Sequence, residues 1–249
     1  MGKTIVIDAG HGMNTAGRRC LKKLDPKETC EWFLNDRIAD LLQFYLLDYD
    51  CKIIRADDTT GTTDVSRSTR VAIANNANAT FYLSIHHNAG VNGGSGGGLM
   101  VFYYSDDKMK KMAQGLYDSI LKENGLKGNR AQPVSCYGYD VIANTKMPAL
   151  LVECGFMDSS TDVPIILTYE FADKTAKGML NWIVSEFGLK KKNTLNTVET
   201  PIQNDEKSKK LIYRVQVGAY SVKANADAQI ERLKKAGFSD AFITSTYIE

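Results

Sequence analysis

Three histidines occur in the 249 residues: His11, His86 and His87. Each lies at the end of a short apolar run. Thr4-Ile5-Val6-Ile7-Asp8-Ala9-Gly10 leads into His11, and Thr80-Phe81-Tyr82-Leu83-Ser84-Ile85 leads into His86-His87. A third run, Pro148-Ala149-Leu150-Leu151-Val152, ends in Glu153-Cys154-Gly155. Two imidazoles and one carboxylate, with a fourth position open, form a catalytic zinc set. Such an ion lowers the pKa of a water and polarises a carbonyl. A second carboxylate that does not ligate then acts as general base. His11, His86 and Glu31 fit the ligand roles, and Glu153 fits the base. Neighbours on a strand face opposite ways, so at most one of His86 and His87 ligates. Each residue also has a plainer role on its own. His11 can end a turn, Glu31 can complement a helix dipole, and Glu153 can sit in a salt bridge. Cys154 paired with a histidine is a competing, metal-free constellation.

The elements that must position these groups follow from periodicity. Runs of four to eight residues rich in Ile, Val and Leu read as strands buried on both faces. Besides those ending at His11, His87 and Glu153, strands are expected over 52–55, 99–104 and 139–143. A helix is expected from Glu28 to about Tyr49, with Leu34, Ile38, Leu41, Leu42 and Tyr45 as its inward stripe. Extending that stripe back one turn reaches Glu31, with Asn35 four residues on; Glu28 is the weaker candidate for the same role. Further helices are expected over 64–76, capped by Thr63 or Asp64, over 107–124, closed by Gly125, and over 172–187, stopped by Gly188. Residues 13–27 are polar, with a turn at Asp25-Pro26, and read as an active-site loop. The Gly90–Gly98 loop lacks the Lys-Ser/Thr of a phosphate loop. Strands alternating with helices to residue 188 predict a mostly parallel α/β sheet covered on both faces. In such a sheet, chemistry sits outside the carboxyl ends of the strands, which is where His11, His86 and Glu153 are delivered.

Composition narrows the class. Hydrophobic content of 43% and charged content of 24% are those of a globular protein, and a net charge of +2 does not suggest a nucleic-acid partner. No apolar run approaches the roughly 18 residues of a membrane span. Lys3 leads straight into a strand, so no signal peptide is expected, and the chain is expected to be made in the cytoplasm. Five cysteines at irregular spacing, with no CxxC, read as reduced thiols.

Five ordered motifs together resemble one known family. They are Ile7-Asp8-Ala9-Gly10-His11-Gly12; Glu31 with Asn35; Arg70-Val71-Ala72-Ile73-Ala74-Asn75; Ser84-Ile85-His86-His87-Asn88-Ala89; and Met147-Pro148-Ala149-Leu150-Leu151-Val152-Glu153-Cys154-Gly155-Phe156. Over residues 3 to about 188 the chain is similar to the zinc-dependent N-acetylmuramoyl-L-alanine amidases of the amidase-3 type. The resemblance implies a six-stranded, mostly parallel sheet flanked by helices. It implies Zn2+ held by His11, Glu31 and His86, with Glu153 as the catalytic glutamate. It selects His86 over His87, because the family histidine directly follows Ser-Ile. His87 stands where the family is variable and is expected to line the cleft. The implied reaction cleaves the amide between N-acetylmuramic acid and L-alanine of the peptidoglycan stem peptide. Another zinc hydrolase of cell-wall peptides, or a non-catalytic wall-binding protein, is the alternative.

The chain changes character after residue 188. Residues 189–210 are rich in Lys, Asn, Thr and Glu and read as a linker. Residues 211–249 read as a small β-α-β segment: a strand over 211–218, a helix over 223–235 and a strand over 241–244. Tyr213-Arg214-Val215-Gln216-Val217-Gly218-Ala219-Tyr220, Asn225-Ala226 and Leu233 to Phe238 resemble the first half of a SPOR domain, a peptidoglycan-binding module. A lone parallel β-α-β leaves an unfilled place between its strands, so either the second half of the module is cut off or two chains pair their halves. The expected setting is lysis of the cell wall, by a phage endolysin or in sporulation mother-cell lysis.

Overall fold

Ile5, Val6 and Ile7 are fully buried, with Ile5 and Ile7 entering one apolar cluster and Val6 the other. That is the signature of a strand covered on both faces. In this computed structural model, residues 2–192 are described, together with Asp227, Ile230, Glu231, Leu233, Lys234, Phe242 and Ile243. The described elements are β1 (Lys3–Ala9), α1 (Glu31–Leu46), β2 (Cys51–Arg55), α2 (Arg67–Asn76), β3 (Phe81–Asn88) and β4 (Leu99–Tyr103), followed by α3 (Asp107–Asn124), β5 (Val134–Cys136), α4 (Asp140–Ala143), β6 (Ala149–Phe156), α5 (Val163–Ile166) and α6 (Tyr169–Phe187). The strands form one six-stranded sheet in the order β2-β1-β3-β6-β4-β5. Pairing is parallel except between β4 and β6. The sheet is the mostly parallel α/β sheet expected.

Two clusters fix what covers the sheet. Leu34, Ile38 and Leu42 of α1, Leu116 and Ile120 of α3, and Met179 and Ile183 of α6 pack with Phe81, Leu83 and Ile85 of β3 on one face. Ala74 of α2 and Val141 and Ile142 of α4 pack with Val6, Tyr82 and Leu151 on the other. Side chains alternate along β3, so Tyr82, Ser84 and His86 share the second face while Leu83, Ile85 and His87 share the first.

Several boundaries differ from expectation. Residues 139–143 form not a strand but the one-turn helix α4, with Ile142 N–H and Ala143 N–H both bonded to the Tyr139 carbonyl. Val141 and Ile142 are buried side by side on one turn, a pattern that a short apolar run cannot distinguish from a strand. The strand in that region is β5, three residues directly after Pro133 and too short to show a period. The second helix begins at Arg67, because Ser66 caps it by accepting the Thr69 N–H, rather than Thr63 or Asp64. The last begins at Tyr169 behind the Thr168 cap. Gly125 and Gly188 end their helices with φ of 70° and 60°, as glycine permits.

The chain divides into two compact units, Met1–Leu195 and Asn196–Glu249. Leu189 is buried in the first unit, Lys191 bridges Tyr49, and Lys192 N–H donates to the Asp48 carbonyl. With Asp50 N–H bonded to the Lys190 carbonyl as well, residues 189–192 belong to the first unit rather than to a free linker. The expected linker beyond Lys192 and the strand from Leu211 lie outside the described residues. Asp227, Ile230, Glu231, Leu233 and Lys234 are helical, within the helix expected over 223–235. Phe242 and Ile243 lie in no regular element and are exposed.

Candidate metal and catalytic site

Strand β1 ends at Ala9, and the ladder carries on for one bond, from Gly10 N–H to the Ile85 carbonyl (2.9 Å). His11 then turns the chain with φ of 67°, a left-handed conformation rarely held by a residue with a side chain. Buried Arg70 holds that turn. Its guanidinium donates to the carbonyls of Ala9 (2.7 Å) and His11 (3.0 Å), its Nε donates to the Val65 carbonyl (2.7 Å), and it pairs with Asp8. Asp8 also accepts from Tyr82 Oη (2.6 Å) and Ser84 Oγ (2.8 Å). Gly10 has its own reason. A Cβ built there would lie 2.0 Å from Cε1 of His86, so the His86 ring occupies the space a side chain would need.

The 13–27 loop brings in the second element. Leu21 N–H bonds to the Met157 carbonyl just past β6 (2.9 Å), and Glu31 N–H bonds to the Arg18 carbonyl (2.8 Å). Glu31 thereby opens α1 over the carboxyl edge of β1 and β3, with its side chain 1% exposed. Glu28, the weaker candidate, points elsewhere and pairs with Lys22 (3.2 Å). Glu31 Oε2 lies 3.3 Å from His11 Nε2, and Oε1 lies 3.0 Å from His86 Nδ1. The His11 and His86 rings meet edge to face at 5.0 Å. One ligand atom from each of His11, Glu31 and His86 falls within 4.8 Å of the others. Glu153 stands directly across from His86 in the β3–β6 register and shares its face. Its Oε2 is buried with no hydrogen-bond partner.

The electrostatics separate these groups. Burial pulls the His11 imidazole down to about 4 despite the neighbouring Glu31, so it stays neutral and its lone pair is free. Burial pushes the Glu31 carboxyl up, but the hydrogen bond and charge of His86, joined by His11, outweigh it and hold the group down at about 2. Burial also works against a charged His86, yet the hydrogen bond and charge of Glu31, with Glu153, carry it upward. The space between the two carboxylates thus favours positive charge. Burial raises Glu153 to about 8; His86 opposes the shift and Glu31 adds to it. A carboxyl poised near neutrality is suited to taking and returning a proton.

A divalent cation fits this set. Ligand atoms about 2 Å from a tetrahedral ion stand about 3.3 Å from one another, which is the spacing of His11 Nε2 and Glu31 Oε2. Glu31 Oε2 is buried and has no hydrogen-bond donor. A buried carboxylate oxygen left in that state is costly unless a cation meets it.

Sequence reasoning missed some of the supporting groups. His87, expected to line the cleft, is 2% exposed on the opposite face, where Nδ1 meets Asn35 Oδ1 at 2.8 Å. The alternation that separates it from His86 is the reason. Exposed Arg18 lies in electrostatic reach of His11, Glu153 and Tyr139, and nothing in the polar loop's composition singles it out. The role of Arg70 in the His11 turn was likewise hidden, since a buried arginine on a helix has no periodic signature. Cys154 faces the first core cluster, fully buried, and its thiol is pushed far up by burial with Glu153 adding to the shift. A thiol held protonated in a dry core is a poor nucleophile.

An α/β sheet whose carboxyl edge gathers two imidazoles and two carboxylates offers the donor set that a metal-dependent hydrolase would use. Residues 5–185 match the Amidase_3 family, described as N-acetylmuramoyl-L-alanine amidase, and the chain belongs to that family. Residues 193–247 match the SPOR domain, a match that starts ahead of Leu211. The chain is 31% identical over 178 residues to the sporulation-specific N-acetylmuramoyl-L-alanine amidase of Bacillus subtilis (strain 168), covering 70% of this chain and 60% of that one. It is 27% identical over 239 residues to the N-acetylmuramoyl-L-alanine amidase CwlM of Bacillus licheniformis, covering 96% and 83%. Among solved structures, an N-acetylmuramoyl-L-alanine amidase from Clostridium difficile 630 superposes with a TM-score of 0.67 at 28% identity, over 75% of this chain and 97% of that one.

Proposed function

We propose that this chain hydrolyses the amide joining N-acetylmuramic acid to L-alanine of the peptidoglycan stem peptide, with Zn2+ held by His11, Glu31 and His86. The observation that carries the reading is Glu153, buried with a free oxygen and directly across from His86, beside the three-ligand cluster, in a chain of this family. Bound zinc supplies a Lewis acid for the scissile carbonyl and lowers the pKa of the attacking water. Glu153 takes the proton of that water as it adds to the carbonyl carbon. It then gives the proton to the alanine nitrogen as the carbon–nitrogen bond breaks. His11, neutral through burial, and Glu31, ionised through its imidazole neighbours, are in the states a cation needs, while His86, held upward by Glu31, would give up a proton on binding it. Exposed Arg18 adds positive charge within electrostatic reach of His11 and Glu153.

Residues 1–188 form the catalytic domain in this reading, and the SPOR-matching tail holds the enzyme on peptidoglycan. The linker of this reading spans 189–210, and its first residues, Leu189 to Lys192, pack on the catalytic domain. The role is cell-wall lysis, and of the two expected settings the name of the Bacillus subtilis relative supports sporulation. The test is metal content of the purified full chain. One zinc per chain is expected, retained in Glu153→Ala without turnover and lost in Glu31→Ala. A wild-type chain that takes up no zinc, or a fully active Glu153→Ala, overturns the reading.

A further inference from the structure

We propose that His87 is a positioning residue for the metal centre: through the Asn35 amide it fixes Glu31 so that Oε1 is held by the protein and Oε2 is presented to the ion. The inference rests on the zinc reading above and goes beyond it to a residue that makes no contact with the ion.

Asn35 is fully buried. Its Nδ2 sits 3.1 Å from the Gly10 carbonyl and 3.4 Å from Glu31 Oε1, both of which only accept, so both amide hydrogens are spent there. Oδ1 can then only accept, and the atom facing it at 2.8 Å is Nδ1 of His87. The His87 hydrogen must be on Nδ1, which leaves Nε2 as a buried acceptor without a partner. With the amide turned over, Oδ1 would confront two acceptors, so Gly10 and Glu31 set its orientation. His87 then holds the amide in place by donating to Oδ1.

That hold is felt at Glu31. Its Oε1 accepts from Asn35 Nδ2 and from the His87 backbone N–H at 3.2 Å and faces His86 Nδ1 at 3.0 Å, while Oε2 has no donor among the described residues and lies 3.3 Å from His11 Nε2. The same Asn35 amide also holds the Gly10 carbonyl, one residue before the first ligand. The His-His doublet thus straddles the sheet. The β3–β6 register shifts just beyond this point, with the extra residue on β6: His86 pairs with Glu153 and Asn88 with Phe156. His86 faces the ion, and His87 supports the carboxylate from below.

The test is zinc affinity of the full chain, measured by competition with a chromophoric chelator on apo protein, together with the visible spectrum of the Co2+-loaded chain. His87→Leu removes the donor but fills much of the space. His87→Asn returns an amide N–H at the position of Nδ1. Zinc binding about 10–100-fold weaker and an altered Co2+ spectrum are expected for His87→Leu, the range for lost supporting hydrogen bonds, with His87→Asn within about threefold of wild type. Asn35→Ala, which also removes the donors to Glu31 and Gly10, should lose at least as much, and the double variant His87→Leu/Asn35→Ala no more than Asn35→Ala alone, because His87 acts through Asn35. If circular dichroism shows that His87→Leu does not fold, His87→Ser, too short to reach Oδ1, takes its place with the same expected outcomes. His87→Leu binding zinc as tightly as wild type, His87→Asn binding as weakly as His87→Leu, or additive losses in the double variant overturn the proposal. A wild-type chain that binds no zinc overturns the zinc reading instead.

Discussion

Replacing Gly10 with alanine tests whether the His86 ring must sit where it does. The backbone at Gly10 is not in the positive-φ region, so alanine carries no conformational penalty there. The cost is steric. The new Cβ would stand 2.0 Å from Cε1 and 2.4 Å from both nitrogens of His86. Ordinary contact begins near 3.4 Å, so the ring must retreat by more than an ångström or rotate away from Glu31. Overpacking of this size costs about 1–3 kcal/mol. For a domain of this length that is a fall of about 2–12 °C in Tm of the apo chain, leaving it folded. Displacing a reacting or ligating group by about 1 Å costs on the order of 100-fold in rate, and the lost ligand geometry weakens zinc as well. The assay pairs zinc affinity with release of stem peptide from peptidoglycan, and circular dichroism follows the fold. Gly10→Ala with wild-type zinc affinity and turnover would show that the ring's position against the Gly10 backbone is not required.

Three further outcomes follow from the same geometry. Glu153→Gln keeps the shape but cannot take a proton, so turnover should fall about 10²–10⁴-fold while zinc stoichiometry stays at that of the wild type; unchanged turnover refutes the base assignment. Arg70→Met leaves Asp8 buried with Tyr82 and Ser84 but no cation, and removes the donors to the Ala9 and His11 carbonyls. Urea unfolding should show a loss of about 3–5 kcal/mol, and a loss under 1 kcal/mol contradicts the account of the His11 turn. Asp36 gives a pH dependence remote from the metal. Burial first, then Asp40, raise its carboxyl to about 7 against the pull of Arg55, which one guanidinium must share among Asp36, Asp40 and Asp57. Between its ordinary value of 3.8 and about 7 the folded chain holds a proton that the unfolded chain has released. Stability therefore falls as pH rises through that window. Asp36→Asn should flatten this part of a pH–Tm profile, and a profile unchanged by the substitution refutes the assignment.

What was legible in the sequence is what burial writes directly into residue type. Ile5 to Ile7, Phe81 to Ile85 and Ala149 to Val152 are apolar on both faces because helices cover both, and the polar residue ending each run marks the sheet edge. Glu31 was reachable because the stripe of Leu34, Ile38 and Leu42 continues back to it. The antiparallel placement of β4 beside β6 was not legible, since a five-residue apolar strand looks the same in either direction. Nor was α4, one turn whose buried pair mimics a strand. His87 acts through the Asn35 amide and Arg70 through Asp8 and the Ala9 and His11 carbonyls, 52 to 62 positions away, and those distances have no period to read.

The central claim is the bond that is cut. Peptidoglycan digested by the zinc-loaded full chain, with products separated and weighed by mass spectrometry, tests it most directly. The account predicts free stem peptides with new L-alanine amino termini and glycan strands without new reducing ends. New reducing sugar ends, or cleavage within the stem peptide with the muramoyl–alanine amide intact, would contradict it.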